Sequence, residues 1–105
     1  MEIKVDTHTH TIASVHAYST ITENAKTAAD MGLEAIAITD HAPALPDAPH
    51  PWHFENLKNI PREIHGVKIL YGCEANILNL KGEIDMPPEI LQKLDVVNAS
   101  IHGPC

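Results

Sequence analysis

The sequence predicts an α/β chain in which parallel strands alternate with helices and carry one polar site at their carboxyl ends. Three observations lead there. Ala35-Ile36-Ala37-Ile38 is continuously apolar rather than alternating, which suits a strand buried on both faces of a parallel sheet. Histidine or glutamate stands just past an apolar run at His8, His41, Glu74 and His102, with spacings of 33, 33 and 28 residues. A strand, a crossover helix and the return to a parallel neighbour need about that length, so the four strand ends should share one face. In a (βα) barrel that face is where active sites are built.

Taken in order, the first strand is expected from Glu2 to Thr7, followed by a polar loop with His16, Tyr18 and Ser19. Thr20-Ile21-Thr22-Glu23 has capping-box spacing, in which a hydroxyl and a carboxylate each satisfy a free amide at a helix start. Ile21, Ala25, Ala28 and Ala29 then recur at helical spacing, and Gly32 ends the helix. The second strand, Ala35 to Ile38, delivers Thr39-Asp40-His41 to a loop, Ala42 to Pro51, that holds four prolines. Trp52 to Ile60 reads as a short helix broken near Pro61. Val67 to Tyr71 is the third strand, ending in Gly72-Cys73-Glu74, and Gly82 marks a turn within Leu80 to Asp85. Pro88 opens a short helix through about Leu94, and Asp95 to Ile101 is the fourth strand, ending at His102.

The 105 residues, 44% hydrophobic and 20% charged, suit one soluble domain with a single core, taken as residues 1–105. No apolar run approaches the roughly 20 residues of a membrane span, and no secretory signal opens the chain, so a cytoplasmic location is expected and a membrane partner is not. A formal charge of −7, with Arg62 the only arginine, argues against nucleic acid, whose backbone is gripped by many Lys and Arg side chains. Cys73 and Cys105 are too few for a disulfide framework and read as reduced thiols. Eight histidines, spread along the whole chain, are the one compositional anomaly.

Asp6-Thr7-His8-Thr9-His10 concentrates that anomaly. Imidazoles two residues apart leave the same face of an extended backbone, making a pincer for one metal ion; the alternative is two solvated histidines at a polar strand end. Asp6 and Asp40, beside the histidines, either orient them or cap loops. Arg62 reads as a surface charge at a helix end, with a phosphate clamp as the alternative. His50 and His53 read as packing or substrate contacts rather than ligands. His65, before Gly66, reads as a solvated residue at a helix end.

Together, Asp6-x-His8-x-His10, His16, Thr39-Asp40-His41, Gly72-x-Glu74 and His102 resemble the successive motifs of the PHP (polymerase and histidinol phosphatase) domain. His16-Ala17-Tyr18-Ser19-Thr20, Asp47-Ala48-Pro49-His50, Trp52-His53-Phe54, Glu74-Ala75-Asn76-Ile77 and Gly82-Glu83-Ile84-Asp85 resemble its YcdX-like phosphatase branch. The resemblance implies a distorted seven-stranded (βα) TIM-like barrel, incomplete here, of which this chain is the amino-terminal four βα units. It implies up to three divalent metals, zinc first, with manganese or iron as alternatives. His8 and His10 would bind the first, Glu74 would bridge the first and second, His102 would bind the second, and His16 and His41 the third.

The implied activity is metal-dependent hydrolysis of small phosphate esters, with Glu74 and Asp40 as candidate catalytic residues. The family's barrels are longer than this chain and draw further ligands from later strands, so activity is expected of the intact domain and impaired in this fragment. Open edges on the first and fourth strands would favour self-association. Two other readings stand beside this one. One is a non-catalytic metal-binding or interaction module completed by a second polypeptide. The other is an amidohydrolase-type metalloenzyme, whose barrels also open with His-x-His.

Overall fold

A computed structural model describes residues 2–103 and shows a mixed α/β chain whose curled, mostly parallel sheet forms a half-barrel. Strand β1 (Val5–Thr9) pairs with β2 (Ala35–Ile38), and β2 pairs with the long β4 (Val67–Asn76). The last strand, β5 (Val96–Ser100), pairs with the second half of β4, and all three of these pairings are parallel. The crossovers carry helix α1 (Ile21–Asp30), the short α2 (Trp52–Asn56) prolonged by a 3-10 turn at Leu57–Asn59, and α3 (Pro88–Leu91).

Helix α1 starts where the capping box places it. Glu23 N donates to Thr20 Oγ1 at 3.2 Å and Thr20 N donates to Glu23 Oε1 at 2.9 Å. Ala25 and Ala28 are the residues it buries, small side chains that let the helix lie close on the sheet. All four residues of β2 are buried, as a strand covered on both faces requires. Ile36 and Ile38 meet Ile69 and Tyr71 from β4, and Phe54 and Leu57 from the second crossover. Each large side chain buried this way contributes about 1.5–3 kcal/mol.

Several expectations need correcting. Strand β1 begins at Val5 rather than Glu2 and runs through His8, so the histidine pincer is built partly on the strand itself. Strand β4 has ten residues and continues past Glu74 to Asn76, because two different elements share one of its edges. Its first residues pair with an antiparallel strand, β3 (Glu63–Ile64), and Gly72 to Asn76 pair with β5. A two-residue strand is too short to show alternation, so β3 left no periodic signal. His65 and Gly66, at φ 52° and 78°, form the β3–β4 turn. Two positive φ angles are what a type I′ hairpin demands, so His65 is a turn residue and not a helix end. The helix expected from Trp52 to Ile60 tightens into a 3-10 turn after Asn56, and α3 stops at Leu91.

Arg62 fastens the place where β3 gives way to β5. Its guanidinium pairs with Asp95 and lies 3.7 Å above the Tyr71 ring, while Asp95 also accepts from Tyr71 N at 2.9 Å. That is the amino end of β5, whereas His102 follows its carboxyl end. Cys73 is a free, buried thiol, pushed up to about 11 by burial; Cys105 lies outside the described residues. Among the described residues no helix is long and apolar enough to cross a membrane.

Candidate metal centre

The parallel register gathers the polar residues at the carboxyl ends of the strands. His41, three residues beyond β2, bridges to Glu74 in β4, where Glu74 N donates to Asp40 O at 2.9 Å. His8 and His10 approach from β1, and His102 from beyond β5. Asn98 Nδ2 of β5 donates to Thr7 O of β1 at 3.0 Å, so one side chain spans the two outer strands across the curl. The sheet's curvature therefore turns four separate strand ends toward one point.

At that point three donor atoms form a near-equilateral triangle. His8 Nε2, His10 Nε2 and Glu74 Oε1 lie 3.1 Å from one another along every edge. Protons alone do not satisfy such a triangle. With Glu74 ionised and each neutral ring nitrogen carrying at most one hydrogen, at least one edge sets two lone pairs or two N–H groups face to face. A cation removes the conflict, and donors bound at about 2.0–2.1 Å to one tetrahedral zinc stand about 3.3 Å apart. The residues present fit a divalent metal.

Glu74 serves two groups. Its Oε1 faces His8 and His10 and lies 3.5 Å from His41 Nδ1, while Oε2 lies 3.3 Å from His102 Nε2. Among the described residues, His8, His10 and Glu74 make one set of three donors that could hold an ion, and His41, Glu74 and His102 make another. Burial pushes the Glu74 carboxyl up, but hydrogen bonds from His8 and Ser100 and the charges of His8 and His41 outweigh it and leave it below the usual carboxylate range. His10 is pushed below the usual imidazole value by burial first and by His41 second, against Glu74 and Asp40. Both shifts favour a carboxylate anion beside neutral imidazole, the forms that bind metals.

His16 and His41 meet around a residue that the sequence alone does not single out. His16 Nε2 lies 2.9 Å from Asp47 Oδ2, and His41 Nε2 lies 4.0 Å from the same oxygen. In the sequence, Asp47 stands only as part of a resembling segment. A carboxylate set between Pro46 and Pro49 in a loop beside His50 is the signal that could have found it.

Asp40 is fully buried and is occupied by the loop after β1. Its Oδ1 accepts from Thr11 N at 2.7 Å and Ser14 Oγ at 2.8 Å, and its Oδ2 accepts from Thr11 Oγ1 at 2.7 Å. Asp6 accepts from His8 N at 3.0 Å, shaping the backbone of the pincer. His50 Nδ1 accepts from Trp52 N at 3.1 Å, which ties this ring to the first residue of α2. His53 packs on Phe54 with its Nε2 3.6 Å from Asp40 Oδ2, and burial lowers its pKa against the pull of that carboxylate. Asp85 ties β4 to the loop after β2, accepting from Asn76 N and from Ala44 N, each at 2.8 Å.

Comparison with known proteins decides what this arrangement belongs to. A family profile described as PHP domain matches residues 6–102, from the first aspartate of the pincer to the last histidine of the centre. The chain belongs to the PHP domain family. This membership supports the first of the three readings over the amidohydrolase alternative.

The PHP chain is similar to a protein named probable phosphatase from Photobacterium profundum, 59% identical over 104 residues, or 99% of this chain and 42% of the relative. A probable phosphatase from Clostridium novyi is 50% identical over 105 residues, covering 100% of this chain and 43% of the relative. Another, from Thermoanaerobacter, is 55% identical with the same coverage of both. The chain thus spans less than half the length of these relatives.

Proposed function

We propose that this chain carries the metal-binding face of a PHP-type phosphatase acting on small phosphate esters. The observation that supports it best is the 3.1 Å triangle of His8, His10 and Glu74. It lies at the carboxyl edge of a curled parallel sheet, where barrel enzymes place their chemistry. The names of the relatives point the same way.

In this reading His8 and His10 would hold one ion, Glu74 would be shared between it and a second held with His102, and His16 and His41 would hold a third. Zinc suits the histidine and carboxylate donors, and manganese or iron suits them too. Bound divalent ions supply Lewis acidity that neutralises phosphate oxygens and the charge growing on a leaving group. Glu74 keeps its carboxylate ionised and sets one oxygen toward each donor set. Asp40, a candidate catalytic residue by sequence, is given a positioning role, because its three accepted hydrogen bonds hold the loop that carries His16. The acidic surface leaves little attraction for nucleic acid, and the partner proposed is a small phosphorylated molecule.

Activity is assigned to a domain of the relatives' length, and these 105 residues alone are expected to be impaired. A second reading, a metal-binding module completed by another polypeptide or a second copy, is favoured by the outer edges of β1 and β5. Neither edge has a strand partner among the described residues. Metal content of this chain by mass spectrometry, with phosphate release from p-nitrophenyl phosphate by a domain of the relatives' length under added zinc or manganese, separates the two. Bound metal with phosphate release supports the phosphatase. Stoichiometric metal without release, even in excess metal, selects the module for this chain, and absence of bound metal contradicts both.

A further inference from the structure

Asp47 is buried, with 8% of its surface exposed, yet its Oδ2 has no hydrogen-bond partner. That oxygen is nonetheless 2.9 Å from His16 Nε2. The two atoms are close without the alignment a hydrogen bond needs, as expected of two lone pairs directed at a common point. His41 Nε2 faces the same oxygen at 4.0 Å, while the opposite nitrogen of that ring faces Glu74. A ligating imidazole is commonly oriented this way, with a carboxylate on its far side. Leaving a buried carboxylate oxygen without a donor or cation costs free energy comparable to a lost charged hydrogen bond.

The surroundings hold Asp47 in place. Pro43, Pro46, Pro49 and Pro51 restrict the loop that carries it, so little entropy is lost in presenting its side chain. Val15 N donates to Asp47 O at 3.1 Å, which joins this loop to the one carrying His16. Ser14 Oγ accepts from His41 N at 3.1 Å and donates to Asp40, so the same loop is also tied to the strand end that carries His41. Three separate segments are thus fixed around one oxygen.

We propose that Asp47 is a ligand of the third divalent cation, completing with His16 and His41 a set of two imidazoles and one carboxylate. The proposal rests on the reading of His16 and His41 as metal ligands and adds the anionic member. It gives the third site the same donor composition as the sets built on Glu74. A carboxylate also biases that site toward zinc, manganese or iron over softer ions.

The test uses the 105-residue chain, stripped of metal and titrated with zinc against a chromophoric chelator, beside Asp47→Asn and His16→Ala. Both variants should lose or weaken the same ion by at least about 10–100-fold, and the double variant should lose no more than either alone. Zinc binding that depends on His8 and His10 should persist in all of them, which also reports that they are folded. A second measurement needs no substitution. In ¹³C-labelled chain the Asp47 carboxyl resonance should shift in step with the His16 ring as zinc is added. Unchanged zinc stoichiometry and affinity in Asp47→Asn, or a static Asp47 resonance while His16 responds, overturns the assignment and leaves the three-metal reading standing. A chain that binds no zinc overturns both.

Discussion

Replacing Gly72 with alanine would place a methyl carbon 2.5 Å from Val96 O, 2.9 Å from Thr39 Cγ2 and 3.3 Å from Ile38 O. Two of these neighbours are backbone oxygens of the flanking strands, so no side-chain rotation relieves them. Ordinary contact begins near 3.4 Å, and β5 would have to retreat from β4 by about 0.9 Å at the point where their pairing starts. Overpacking of this kind costs about 1–3 kcal/mol. At about 4–8 °C per kcal/mol for a domain near 100 residues, the melting temperature should fall by roughly 5–20 °C. The movement should also draw His102 away from Glu74 Oε2, now 3.3 Å from its Nε2, so zinc should stabilise the variant less than the parent. Thermal melting by circular dichroism, with and without zinc, reads both effects. Gly103→Ala is the control, since a methyl group there would meet nothing within 4 Å. If Gly72→Ala melted like the parent and gained as much from zinc, the claim that glycine sets the β4–β5 approach would be wrong.

Asp40→Asn should destabilise the chain by about 2–3 kcal/mol in urea titration, because Asn keeps the shape but gives up the charge that three donors address. In chelator, stability should fall as pH drops below 6.5. His10 and His53 have folded pKa values under that figure, so the unfolded chain binds more protons and acid favours it. Glu74 extends the loss below 4.5, since its folded pKa is also depressed and protonation again favours the unfolded chain. Urea midpoints at pH 5.5 and 7.5 check the sign, and a higher midpoint at 5.5 would refute it. The Cys73 thiol, raised to about 11, should resist a disulfide reagent at pH 8 in a Cys105→Ser background and react once denaturant is added; rapid reaction of the native chain would contradict its burial.

The parallel strands and the pincer are legible in the sequence because their signals are local. Ala35 to Ile38 is apolar without a break, and the capping box at Thr20 and Glu23 specifies a helix start within four residues. The strand-end spacing reports the gathering of His8, His41, Glu74 and His102 because crossover length is itself encoded along the chain. Other features depend on what lies alongside rather than on what comes next. Strand β3 exists through the hairpin turn at His65 and Gly66, and β4 runs on to Asn76 because β5 replaces β3 at its edge. Arg62 reads in the sequence as a surface charge or a phosphate clamp, and its partner, Asp95, is 33 residues away. Asp47 is the clearest case, since a carboxylate between prolines beside His50 marks only a polar, restricted loop until folding brings His16 and His41 to it.

The most direct test of the central claim is zinc binding by the purified chain, measured by chelator competition and by X-ray absorption at the zinc edge, against His8→Ala/His10→Ala. The account predicts stoichiometric zinc with nitrogen and oxygen donors at about 2.0–2.1 Å and loss of the ion bound by His8 and His10 in the double variant. Equal zinc binding by parent and double variant, or none by either, would contradict it.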